Sequence, residues 1–196
     1  MVKLTRIYTR TGDNGDTALS TGERTRKSHP RVDAYGAVDE TNACLGLARL
    51  HTVGDEVLDP MLARIQNELF DLGADLSTPA RGVRPGVEPL RMTPAQVGRL
   101  EREIDPLNAA LAPLNSFVLP GGSAAGAALH LARTVCRRAE RLAVALGDQP
   151  GEDVSPPALK YLNRLSDLLF TAARWANEKG RTDVLWTPGA TRLGDM

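Results

Sequence analysis

The stretch Tyr8-Thr-Arg-Thr-Gly-Asp-Asn-Gly-Asp-Thr17 gathers three threonine hydroxyls and one guanidinium around two glycines. Asn14-Gly15 is the dipeptide of a tight hairpin turn, and Gly12 and Gly15 let backbone pass close to a ligand. Hydroxyls, open amides and Arg10 in this arrangement suit phosphate oxygens. An ordinary polar hairpin has the same composition. The stretch is not a Walker loop, because no Gly-Lys-Ser/Thr follows, and its acidic spacing is not that of an EF-hand.

A second stretch, Arg133-Thr-Val-Cys-Arg-Arg-Ala-Glu-Arg141, places Arg133, Arg137 and Arg141 at i, i+4 and i+8 of a helix. At about 100° per residue, Arg133 and Arg137 border the apolar stripe and Arg138 points away from it. Guanidinium groups beside a buried face repel one another unless an anion lies between them, and Glu140 neutralises only part of that charge. A polyphosphate answers the requirement; a solvated basic face is the other reading. Asp39 and Asn42 share a face of one helix, and Asn163, Asp167, Phe170 and Arg174 share a face of another. Asp39 could orient an arginine or be a surface acid, and Asn163 could bridge helices or touch a ligand. In Phe117-Val-Leu-Pro-Gly-Gly-Ser123, Ser123 suits an N-cap, whose free amides attract anions. Phe117 has no helical stripe to join, so it either plugs the core or meets a ligand. His29, His51 and His130 lack a Glu at i+3 or i+4, which argues against a ferritin-like metal site. Cys44 and Cys136 fall on apolar faces, as structural cysteines do.

Helices must carry these groups. Apolar residues recur in steps of three and four at Leu58, Leu62, Ile65, Leu69, Leu72 and Leu76. The rhythm returns at Leu129, Ala132, Cys136, Ala139, Ala143 and Leu146, and again at Leu159, Leu162, Ser166, Leu169, Ala173 and Ala176. Thr93-Pro94-Ala95-Gln96 reads as N-cap, first-turn proline and capping-box glutamine for a shorter helix through Val97, Leu100, Ile104 and Leu107. A fifth helix is expected from about Val32 to Leu50. Proline- and glycine-rich breaks at 77–91, 112–122 and 147–157 connect helices that each need a partner for their stripe. The spacing predicts an all-α, up-down five-helix bundle in one domain, with loop 1–28, bundle 29–178 and tail 179–196.

The composition is that of a globular chain: 196 residues, 42% hydrophobic and 24% charged. Lys+Arg and Asp+Glu both number 24, so global charge gives no reason to expect nucleic acid or an anionic membrane. Apolar runs are too short for a membrane span, and the N-terminus lacks a signal-peptide core. Two cysteines suit a reducing compartment, so the expected location is cytoplasmic.

Taken in order, Tyr8–Thr17, Lys27 followed by Pro30-Arg-Val-Asp-Ala-Tyr-Gly-Ala-Val-Asp-Glu-Thr-Asn42, Phe117–Gly122, Arg133–Arg141 and Tyr161-Leu-Asn-Arg-Leu-Ser-Asp167 resemble the PduO-type ATP:cob(I)alamin adenosyltransferases. The resemblance runs from about Ile7 to Asn177; Thr41 and Arg10 stand where many members have Leu and Lys. It implies a homotrimer with active sites between subunits, and transfer of the 5′-deoxyadenosyl group of ATP to reduced corrinoid, releasing triphosphate. ATP would then be held by Thr9, Arg10, Thr11, Gly12, Thr17, Ala18, Lys27, Arg137, Arg138, Glu140, Arg141 and Asn163. Mg²⁺ would sit on the triphosphate near Asn163. Asp39 and Arg133 match a family salt bridge between neighbouring subunits, and Phe117 matches an aromatic that displaces the lower axial base of cobalamin. The implied partners are a reductase and an adenosylcobalamin-dependent enzyme. A nucleotide-dependent adenosylcobalamin carrier, or a helical phosphohydrolase or kinase, would use the same arginines differently.

Overall fold

The three-and-four rhythm becomes five helices in a computed structural model that describes residues 7–192. They are α1 (Pro30–Arg49), α2 (Leu58–Leu76), α3 (Pro94–Ala109), α4 (Ala124–Gly147) and α5 (Pro156–Ala176). Their starts follow the local chemistry. Thr93 and Gln96 form a full capping box on α3, and Ser123 Oγ accepts from Gly126 N at 3.0 Å on α4. Helix α1 begins two residues before the expected Val32, because Pro30 fits the first helical turn and the His29 ring nitrogen accepts from Arg31 N.

Helix α1 packs on α4 and α2, α4 on α5, and α5 also on α3 and α2. The α2 stripe is wholly buried, and so are the small residues Ala132, Cys136, Ala139 and Ala143 of α4, which packs between α1 and α5. Small side chains let helix axes approach closely, which suits α4 to the middle of the bundle. Two acids inside this core are well paired. Tyr161 donates to Glu68 at 2.7 Å, and the Asp75 carboxylate accepts from Arg91, Met92 N and Ser155.

Ahead of the bundle lies an antiparallel hairpin, β1 (Asp16–Ala18) and β2 (Arg24–Arg26). Its turn is Leu19–Glu23, not Asn14-Gly15: Leu19 N donates to Glu23 O at 2.8 Å, and Gly22 has φ 87°. Asn14-Gly15 would reverse the chain only between two paired strands. Here the preceding residues curl back instead, with Arg10 at φ 61° and Gly15 N donating to Gly12 O. At the other end, Glu178, Lys179 and Gly180 all have positive φ and turn the chain out of α5. The tail then runs antiparallel to the α3–α4 loop, where Leu119 N donates to Val184 O and Trp186 N to Phe117 O.

Candidate active site

Two groups of polar residues and one aromatic pair stand out. The hairpin forms the first group. Thr9 and Thr11 share a hydroxyl contact of 2.9 Å, Arg24 donates to Thr11 O, and Arg10 lies over the Tyr8 ring at 5.7 Å. A Cβ on Gly12 would stand 3.1 Å from Asp16 O and 3.3 Å from Lys27 Nζ, so the glycine makes room for the ammonium. Thr17 is bonded to Tyr35 of α1, whose phenol is pushed up by burial and drawn back by that contact. Ala18 is exposed beside buried Leu19. Gly12 and Lys27 therefore lie side by side, while Thr17 meets α1.

Helix α4 carries the second group. Arg137, Arg138 and Arg141 are exposed, and Arg133 is half-buried. Burial, and then the Arg137 charge, lower the Arg133 pKa, and its Nε is buried without a hydrogen-bond partner. Arg138 does not stand free: it forms an ion pair with Glu40 of α1. Glu140 accepts from Asn163 Nδ2 at 2.9 Å, and Asn163 Oδ1 accepts from Arg164 at 2.8 Å. Asp39 is exposed at the edge of a groove of about 510 Å³ between α1 and α2, beside Tyr35, Asn42 and Phe70.

Within one chain, no hydrogen bond or ion pair among the described residues joins the hairpin group to Arg133–Arg141, or Asp39 to Arg133. Phe117, at 77% exposure, is not a core plug; it tilts against Trp186 with ring centroids 6.1 Å apart. Sequence reasoning passed over Trp186, one of two tryptophans in the chain, because no helical stripe marks a tail residue. His130, weighed from the sequence only as a metal ligand, is buried on α4 with both ring nitrogens unpartnered.

Residues 7–176, from the hairpin to the end of α5, match the cobalamin adenosyltransferase family. This chain belongs to that family. The corrinoid adenosyltransferase of Mycobacterium tuberculosis is 53% identical over 191 residues, 97% of either chain. That of Bacillus subtilis is 43% identical over 194 residues, covering 97% of this chain and 96% of its own. Among solved structures, a variant PduO-type ATP:corrinoid adenosyltransferase from Lactobacillus reuteri, complexed with cobalamin and ATP, has a TM-score of 0.83. It is 38% identical, covering 92% of this chain and 99% of its own. The family's match spans both polar groups and the Phe117 loop.

For a metal, the donors are few: among the described residues no three His, Cys, Asp or Glu side chains cluster. Mg²⁺ on a triphosphate needs little more, since phosphate and water oxygens fill most of its shell. The Asn163 amide oxygen, which keeps a second lone pair beside its bond from Arg164, fits that role.

Proposed function

We propose that this chain transfers the 5′-deoxyadenosyl group of ATP to the cobalt of reduced corrinoid, giving adenosylcobalamin-type product and triphosphate. The observation that carries it is a relative 38% identical over 92% of this chain, complexed with cobalamin and ATP together. Cobalt(I) supplies the electron pair that forms the Co–C5′ bond, and the C5′–O bond breaks with its pair going to triphosphate. The protein supplies no nucleophile. Its work is to align cobalt, C5′ and the leaving oxygen, and to stabilise charge on the leaving group.

In this reading Thr9, Arg10, Thr11, Gly12, Thr17, Ala18 and Lys27 wrap the nucleotide from the hairpin. Arg137, Arg138 and Arg141 hold the phosphates from α4, with Glu140 and Asn163 beside them. Mg²⁺ bound near Asn163 would neutralise part of the triphosphate charge. Phe117, exposed and backed by Trp186, covers the lower face of the corrin. An apolar ring there excludes water and the axial base, and loss of that donor makes Co(II) easier to reduce.

That the two groups do not meet within one chain supports a homotrimer whose sites lie between subunits. Asp39 of one copy would then pair with Arg133 of the next, giving the buried Nε a carboxylate. No helix among the described residues is long and apolar enough to cross a membrane. In this reading the enzyme works in the cytoplasm and is fed by a reductase. Anaerobic mixing with cob(I)alamin and ATP tests the whole reading. Conversion to the adenosylcobalamin spectrum with one intact triphosphate released per turnover is expected. Binding without a new Co–C bond would make the chain a carrier, and release of orthophosphate or pyrophosphate a hydrolase or kinase.

A further inference from the structure

The hairpin has only three residues per strand, too few to hold a shape alone in water. Its turn is fastened at the end away from Gly12. Ser20 N and Oγ both donate to Ser77 O, at 3.2 and 2.8 Å, and Ser20 Oγ also meets Thr78 Oγ1. Leu19 is buried at 4% exposure. One arginine completes the attachment. Arg81 reaches Glu23 of the turn at 3.4 Å, buried Glu152 at 2.9 Å, and Gly151 O at 2.9 Å. Glu152 is itself held by Arg31, which is 1% exposed and also donates to Leu76 O. A line of charges thus runs from the bundle interior to the hairpin turn.

We propose that Ser20 and Arg81 are positioning residues for ATP: the segment after α2 braces the hairpin turn, so the paired strands that lead to Thr17 and Lys27 are held in place before nucleotide arrives. The inference rests on the reading of the hairpin as a nucleotide site. A loop ordered by the ligand gives up affinity to that ordering, whereas a braced loop has already lost its freedom on folding. Neither residue belongs to the nucleotide set of that reading, so the brace acts on ATP affinity and leaves the chemical step alone.

The test compares Ser20→Ala, Arg81→Ala, Arg81→Lys, Glu23→Gln and the Ser20→Ala/Arg81→Ala double variant with Lys27→Ala. Exposed ion pairs are weak, so Glu23→Gln should raise KM for ATP by only about twofold. The double variant should raise it about tenfold, with kcat at saturating ATP and KM for corrinoid unchanged. Arg81→Lys keeps the charge but cannot span three acceptors, and should fall between wild type and Arg81→Ala. Without ATP, amide hydrogen exchange over residues 16–26 should quicken in the double variant. Should Arg81→Ala unsettle the bundle through Glu152, then Ser20→Ala and Glu23→Gln, which leave Glu152 its partners, carry the test. An unchanged KM for ATP in the double variant, with Lys27→Ala raising it, overturns the brace alone. An unchanged KM in Lys27→Ala overturns the nucleotide reading of the hairpin, and the brace with it.

Discussion

Arg137 projects from α4 into open solvent, with no acid paired to it among the described residues. If it meets a phosphate, its removal leaves that charge unanswered. Arg137→Ala should cost about 2–3 kcal/mol in kcat/KM for ATP, as a charged hydrogen bond does. Steady-state kinetics with ATP varied would check this; near-wild-type values would leave the side chain in solvent. Phe117 makes a different kind of contribution. Phe117→Ala should slow turnover from cob(II)alamin plus reductant by more than about tenfold, through the lost control of the axial ligand. Turnover from chemically supplied cob(I)alamin should fall far less. Equal losses in both assays would remove the proposed shielding role.

Helix α3 depends on its own start, since its capping box satisfies donors that no other element reaches. Thr93→Ala should destabilise the protein by about 1 kcal/mol. In a domain of this size that lowers Tm by about 2–4 °C, measurable by calorimetry. Activity should be unaffected, because α3 packs on α5 away from Arg133–Arg141. The α4 stripe is less forgiving. Its alanines are fully buried, so a larger residue there would push α1 or α5 aside.

Acid should destabilise the whole molecule in two stages. Burial and the Arg133 charge hold the His130 pKa below 6.5, against a smaller opposing pull from Asp183. The unfolded chain therefore takes up that proton first, and stability begins to fall as pH drops below 6.5. Glu152 follows. Burial pushes its carboxyl up, but bonds from Arg81 and Arg31 outweigh this and hold it below 4.5. Its contribution is complete above that value and drains as pH falls through the folded pKa. Tm measured against pH should show the later stage flattened in Glu152→Gln and the earlier stage flattened in His130→Gln. At the level of assembly, sedimentation should give about three times the 21.1 kDa chain mass. Asp39→Arg should break the proposed trimer, and pairing it with Arg133→Asp should restore it.

Helix positions were written in the chain because a buried stripe has a period that short-range spacing reveals: Leu58–Leu76 folds over the residues its leucines mark. Caps at Thr93 and Ser123 were equally local. The arginine spacing on α4 was fixed by the same helical geometry. What neighbours each group was not, because contacts across 50 or more residues leave no periodic trace. Only the folded chain put Glu40 against Arg138, Trp186 behind Phe117, and Arg81 between Glu23 and Glu152. It also moved the hairpin turn from Asn14-Gly15 to Leu19–Glu23, because strand pairing is settled by the partner strand and not by the turn dipeptide alone.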